Sequence, residues 1–450
     1  MPGTQKDSIC IAGAGLVGSL WSAMLAQRGY PVQVFEKRDD LRKGNADAGR
    51  SINLALSDRG WRALHSAGAA DDAKEIAIPM YGRMIHDEEG NTNFLRYGKK
   101  NQAIYSISRS RLNGILMDHA EKHNNAEFFF RQPIEHIDTD NKRLHFETEK
   151  GAKSVEFDRL FGTDGAFSVV RENMMKTPRF NYSQEFIEHG YKELSIPPGS
   201  DGEWQLDKNC LHIWPRKSFM LIALPNSDGS FTVTLFLAFE KAEHSFENLN
   251  TDQEIQEFFR AQFPDAYELM PDLLKDFREN PSSSLVTIRC SPWYYKDNVC
   301  LMGDASHAIV PFFGQGMNAG FEDCTVLSNL LDTEGDKGWQ HIFEKFSRER
   351  KPNADAIADM ALENFVEMRD RVADEWFLMK QKLEKKIAEI YPDKWQTRYS
   401  MVTFSHIPYK EALTRSRKQE VIVEKLMQNE NARHLLNDPG ELEKTLEGYL

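Results

Sequence analysis

The sequence predicts an α/β protein whose nucleotide-binding sheet is left by the chain for a strand-rich insertion and re-entered before a helical C-terminal region. Three observations predict it. The N-terminal stretch reads as strand, glycine turn, helix and second strand. The run from about residue 180 to 289 is strand-rich. "VCLMGD", ending at Asp304, then has the continuous apolar character of a buried parallel strand.

Composition bounds what such a chain can do. Its 450 residues suffice for two or three structural units around a sizeable core. Its 56 basic and 69 acidic residues give a net charge of -13, which repels a phosphate backbone, so nucleic acid is excluded as a partner. Five cysteines (Cys10, Cys210, Cys290, Cys300, Cys324) show no CxxC spacing. Neither a disulfide framework nor a zinc site is indicated, and a reducing, cytoplasmic compartment is expected. "MPGTQKDSIC" lacks the basic and apolar regions of a signal peptide, and "FTVTLFLAF" from Phe231 is too short to span a bilayer, so a soluble chain is expected.

The elements follow in order. In "SICIAGAGLVGSLWSAMLAQRGYPVQVFEKR", Gly13, Gly15 and Gly18 supply a tight turn, close backbone approach to a pyrophosphate and helix-to-strand contact. Glu36 closes the second strand where a ribose could be bound. The motif admits NAD or FAD, or a glycine-capped crossover with no ligand, but neither a second GxGxxG nor a dehydrogenase signature follows. "MYGRMIHDEEGNTNFLRYGKK" alternates about a turn; symmetry about Gly90 would set Arg83 opposite Tyr97 on one face. "YSISRSRLNGILMDHAEKH" is a strand and then a helix, with Arg109, Leu112 and Leu116 at RxxLxxxL spacing.

"EFDRLFGTDGAFSVVR" is a strand running into a turn at Asp164 and Gly165, and "FMLIALPNSDGSFTVTLFLAF" is two strands about a turn. Asp304 then lies at the carboxyl end of its strand, where open α/β sheets bind ligands. "GQGMNAGFEDCTVLSNLL" starts a helix with free N–H groups at Gly316, suited to negative charge, behind an apolar wall of Pro311, Phe312 and Phe313. From Trp339 onward the chain is helical and charged. The divisions expected are 1–75, 101–178 and 290–335 for the nucleotide unit, 76–100 and 179–289 for the sheet unit, and 336–450 for the helical region.

Together, GxGxxG with Glu36, "TDGAFSVVR" and the "GD" segment resemble the single-component FAD-dependent aromatic hydroxylases. The resemblance implies a Rossmann-like domain on which the three segments converge on one non-covalent FAD, with the DG segment at Asp164 also meeting NADPH. Longer strings, "GAGLVGSL", "FEKRDDLR", "RSINLALSDRG", "GDASHAIVPFFGQGMNAGFEDC" and "ENFVEMRD", resemble that family's kynurenine-hydroxylating members. They imply flavin contacts at Val17, Glu36, Arg38, Ala55, Arg109, Asp304, Met317 and Asn318, and an amino-acid clamp on L-kynurenine of Arg83, Tyr97, Asn364 and Tyr399. Glu367 and Met368 share a helical face with Asn364.

The chemistry so implied is reduction of FAD by NADPH, addition of O2 and oxygen delivery from a flavin hydroperoxide, with no catalytic side chain and no metal. Another aromatic hydroxylase or epoxidase, or a non-enzymatic escort protein of the Rab GDP-dissociation-inhibitor type, is the alternative. The family's eukaryotic members carry an apolar anchoring tail, whereas "ELEKTLEGYL" is charged, so no membrane anchor is expected. His119 with His123 reads as a solvated helical face, His307 as a structural histidine, and "TRSRK" near Arg415 as exposed surface.

Overall fold

The computed structural model describes residues 6–44, 53–148, 151–370, 375–428, 435–436 and 438–449. Arg50, Ser51 and Ile52 of "RSINLALSDRG" lie outside the described residues. The first sheet has six strands in the spatial order Tyr294–Tyr295, Val299–Leu301, Arg159–Gly162, Ile9–Ala12, Val32–Phe35, Ala126–Phe129. All are parallel except the two-residue edge at Tyr294. The central strand ICIA is buried throughout, as a strand covered on both faces must be. The helix Leu16–Gln27 is apolar almost all round because it packs between the helices Arg109–Glu121 and Gly316–Glu334.

Two of the motif glycines are explained by the protein's own packing. Gly13 has φ +95°, and a Cβ there would lie 2.8 Å from the Thr163 carbonyl. A Cβ on Gly18 would lie 2.1 Å from the Gly13 carbonyl. The glycine turn thus sits hard against the neighbouring strand, from which Thr163 Oγ1 donates to Ala12 O at 2.8 Å.

The second sheet has seven strands in the order Ser283–Ser291, Asn181–Ile196, Phe231–Ala238, Phe219–Pro225, Cys210–Arg216, Gly82–His86, Thr92–Arg96. Only Cys210–Arg216 and Gly82–His86 pair in parallel. Alternation sorts its side chains. Leu221, Val233 and Leu235 pack with Phe259 and Phe263 of the helices behind the sheet, while Met220, Ile222, Thr234 and Phe236 face the first sheet across a cavity. Both faces are covered, so these strands read as unbroken apolar runs. A third, small sheet pairs Ile104–Ser108 with Asn53–Leu56 and Ile78–Met80, and the chain crosses to the large sheet at Tyr81.

One register differs from expectation. Arg83 pairs with Leu95, and Tyr97 N–H donates to Tyr81 O at 3.1 Å. The hairpin is therefore symmetric about Glu89, because Asp87 ties the turn by accepting from the Glu89 and Asn91 N–H groups and leaves Gly90, at φ +81°, one residue off centre. Arg83 and Tyr97 are diagonal neighbours on one face and not a directly opposed pair.

The C-terminal helices are Trp339–Asp370, Glu375–Ile390, Arg398–Thr403, Tyr409–Met427 and Pro439–Leu446. A buried ion cluster ties Trp339–Asp370 and the segment at Val402 and Ile407 to the helix Gly316–Glu334. Glu322 and Asp323, on the helix Gly316–Glu334, accept from Arg350 at 2.7 and 2.8 Å. Glu322 also pairs with Arg59, which donates onward to Val402 O at 3.1 Å and to Ile407 O. Among the described residues, no helix is long and apolar enough to cross a membrane.

Candidate functional site

A cavity of about 700 Å³ lies between the two large sheets, closed at one side by Tyr399 of the C-terminal helices. At its nucleotide end, Gly13, Gly15, Val17, Glu36, Arg38, Ala55, Arg109, Asp164, Asp304, Gly316 and Met317 all line the wall. Segments far apart in the chain meet there because the strands carrying Gly13, Asp164 and Asp304 are adjacent in one parallel sheet, so their carboxyl ends coincide.

Gly15 differs from Gly13 and Gly18. A Cβ on it would meet nothing within 4 Å, so protein packing does not demand a glycine there; the space it keeps open belongs to the cavity. The first bond of the following helix runs from Ser19 N–H to Gly15 O, 2.8 Å, leaving the N–H groups of Leu16, Val17 and Gly18 without helical partners. Glu36 is buried and accepts from Ala14 N–H and from the Arg38 backbone and side chain, each at 3.0 Å. Burial alone would raise its pKa, but the Arg38 bonds outweigh that and hold it below the usual carboxylate range.

Asp164 caps a short helix through Oδ2, which accepts from Val169 and Val170 N–H at 2.8 and 3.2 Å. Its Oδ1 is buried with no protein partner, and burial pushes the carboxyl above its ordinary value. Gln132 Oε1, on a wall segment the sequence did not single out, is likewise buried without a partner. The two orphaned acceptors mark places where a ligand with hydroxyl or amino donors completes the hydrogen bonding.

At the sheet end, the Arg83 guanidinium carbon lies 5.3 Å from the Tyr97 ring centre and 5.0 Å from that of Tyr399. The two rings stack at 5.1 Å, 13° apart. Arg83 Nε and Tyr97 Oη are buried and have no protein partner. Burial pushes Tyr97 well above its ordinary pKa and raises Tyr399, so both phenols stay protonated donors. A buried cation with an unpartnered Nε, set between two neutral phenols, makes a site for an anion, of which a carboxylate matches the guanidinium fork. Beyond them the wall is apolar: Phe312 packs between Phe236, 5.1 Å, and Phe365, 4.4 Å.

Four of the sequence-derived residues are not on the wall. Gly18 packs against the turn, as described. Asn318 lies behind it, donating to Ala55 O at 2.8 Å and Gly314 O at 3.0 Å while accepting from Ser57 N–H at 2.9 Å; it fixes the loops that do line the cavity. Asn364 donates to Phe312 O at 2.6 Å and so supports the apolar loop from behind. Glu367 is half-buried elsewhere on the same helix. The side chain of Met368 lies outside the described residues. Sequence reasoning also missed Thr234, Tyr191 and Ile222, since an apolar run carries no mark of which alternate face meets a ligand.

His307 binds Asp323 at 2.5 Å and stacks on Trp293 at 5.0 Å, a buried structural role. His119 pairs with Asp72 at the surface. Among the described residues, no group of three His, Cys, Asp or Glu could hold a metal ion.

The family described as FAD binding domain matches residues 6–361. The kynurenine 3-monooxygenase of Flavobacterium johnsoniae is 49% identical over 441 residues, covering 98% of each chain. That of Flavobacterium psychrophilum is 49% identical over 430 residues, 95% of each. Among solved structures, 2-methyl-3-hydroxypyridine-5-carboxylic acid oxygenase superposes with a TM-score of 0.67 at 18% identity, over 82% of this chain and 94% of its own, a likeness of fold. With a glycine cradle, a sheet re-entered at Asp304 and relatives matched over nearly their whole length, the chain belongs to the kynurenine 3-monooxygenase family of FAD-dependent monooxygenases.

Proposed function

We propose that this flavoprotein hydroxylates L-kynurenine to 3-hydroxykynurenine, consuming NADPH and O2. The observation that carries the substrate is the orphaned Arg83–Tyr97 pair, with Tyr399 beside it, at the end of an apolar slot. L-Kynurenine has the complementary parts: a carboxylate for the guanidinium and an aromatic ring for the wall of Phe312, Phe236 and Ile222.

The cavity residues fit FAD on their own geometry. The pyrophosphate would be held at the Gly15 cradle and the free N–H groups of Leu16 and Val17, the ribose at Glu36, and the ring end at Asp304 and the first turn of the helix at Gly316 and Met317. When bound, FAD supplies hydride acceptance and oxygen activation. The chain supplies position and dryness. Arg83 anchors the substrate carboxylate and thereby sets how far the aromatic ring reaches along the slot. Phe312, held from behind by Asn364, keeps water from the reacting end. No side chain is assigned a proton transfer. The spans 1–75, 101–178 and 290–335 would form the cofactor unit, and 76–100 with 179–289 the substrate unit.

The test is NADPH consumption with and without L-kynurenine, with the product identified by mass. A product one oxygen heavier, formed in step with NADPH, is expected; consumption with no such product overturns the assignment.

A further inference from the structure

Behind Arg83, on the face of the sheet away from the cavity, two histidines and an aspartate form a closed chain. His86 Nδ1 lies 2.7 Å from Asp265 Oδ2, His86 Nε2 lies 2.9 Å from His212 Nδ1, and His212 Nε2 lies 2.9 Å from Asp207 O. Both histidines are 2% exposed. The chain can be counted for protons. A carbonyl only accepts, so His212 Nε2 carries a proton. An ionised carboxylate only accepts, so His86 Nδ1 carries one too. Two neutral imidazoles have then spent both of their protons, and the two nitrogens that face each other at 2.9 Å would oppose lone pair to lone pair. A third proton between them removes the conflict.

We propose that His86 and His212 together hold one proton more than two neutral rings hold, and that this charged pair, braced on Asp265, is the positioning device for the strand that carries Arg83. This rests on the assignment of Arg83 to the substrate carboxylate. The charge has its counter-ion: Trp214 Nε1 donates to both oxygens of Asp265 at 2.9 Å, and its bonds with His86 and Trp214 outweigh burial to hold Asp265 below its ordinary value. Burial pushes His212 down to about 4. The other charged neighbours are Arg216, which donates to His86 O at 3.1 Å and Asp87 O at 2.9 Å, the carboxylates Asp87, Glu88 and Glu89 around Arg216, and Asp207 beside His212.

The strand needs such an anchor. Gly82–His86 is flanked on one side by Thr92–Arg96, all of whose residues are exposed, so the hairpin gains little from burial at its outer edge. His86 is three residues from Arg83 on the same strand and stacks on Trp214 at 4.1 Å. Raising the pH removes the shared proton and with it one of the three hydrogen bonds of the chain. The expected consequence is a looser strand and a weaker hold on the substrate, with no change at the cofactor end.

The experiment is ¹⁵N NMR of the histidine rings in the FAD-loaded full chain, with His86→Gln for assignment, beside titrations of L-kynurenine binding followed by flavin absorbance from about pH 6 to about pH 9. One ring of the pair is expected to be protonated on both nitrogens at neutral pH, and substrate affinity to fall as that signature titrates away. His86→Gln should bind substrate about tenfold more weakly at low pH, lack that pH step and keep its FAD affinity. Should that variant not fold, Asp265→Asn is expected to move the same step to lower pH. Two neutral rings, or an affinity that ignores their titration, overturns the proposal. Failure of the carboxylate assignment is seen separately, as an Arg83→Ala variant whose affinity is unchanged.

Discussion

At the scale of single residues, the site is defined by groups that the protein leaves unsatisfied. Arg83 Nε and Tyr97 Oη have no protein partner at the sheet end of the cavity, and Asp164 Oδ1 has none at the nucleotide end. Arg83→Ala should cost about 1.5–3 kcal/mol of L-kynurenine binding, roughly 10- to 150-fold, with FAD retained. Converting the substrate carboxylate to an amide should weaken wild-type binding by a similar order yet add little in the variant, because groups in contact couple whereas distant ones add. Penalties that sum would place the carboxylate elsewhere. Gly15 gives a second test. Its Cβ position is open to the cavity, so Gly15→Val should fold normally by circular dichroism but purify without flavin. A yellow variant would show that the pyrophosphate lies elsewhere.

At the scale of elements, the helix Gly316–Glu334 joins the cofactor end to the C-terminal helices through Glu322 and Asp323. Burial would raise both carboxyls, but Arg350, Arg59 and Arg62 around Glu322, and His307 and Arg350 around Asp323, outweigh it and hold both below the usual range. A carboxyl depressed on folding contributes stability above its unfolded value and loses it as pH falls through the folded one. The melting temperature should therefore drop below about pH 4, and Arg350→Met, which leaves two buried carboxylates short of a partner, should cost about 3–5 kcal/mol at neutral pH. An unchanged denaturation midpoint would mean that Arg59 and His307 suffice. None of this was legible in the sequence, where nothing marks Glu322 and Asp323 as partners of Arg59 and Arg350. The glycine turn and the helix from Arg109 were legible, because local spacing fixes them. The hairpin's register was not: one Asp87 turn moved its centre from Gly90 to Glu89, and only the twofold side-chain period kept Arg83 and Tyr97 on one face.

At the scale of the whole molecule, the cofactor end was readable because its three motifs sit at the ends of adjacent parallel strands, whereas the middle of the cavity is built from the alternate faces of doubly buried strands, which leave no pattern. The same architecture joins the two ends through one loop. The loop from Pro311 to Met317 supplies Phe312 and Phe313 to the sheet end of the cavity and Gly316 and Met317 to its nucleotide end, and it is held by Asn364 at Phe312 O and by Asn318 at Gly314 O. If the substrate ring packs on Phe312 as proposed, it is expected to shift the population of the segment at the nucleotide end. NADPH oxidation should be slow alone and rise by about tenfold or more when L-kynurenine is bound, which asks for a differential affinity of at least about tenfold for a minor loop state. Ligands that fill the slot without offering the reactive ring carbon should also accelerate oxidation, but release peroxide in place of product. Stopped-flow oxidation rates, with peroxide assayed in parallel, check this. Equal rates with and without ligand would show the two ends of the cavity to be uncoupled, and the shared loop to be a wall and nothing more.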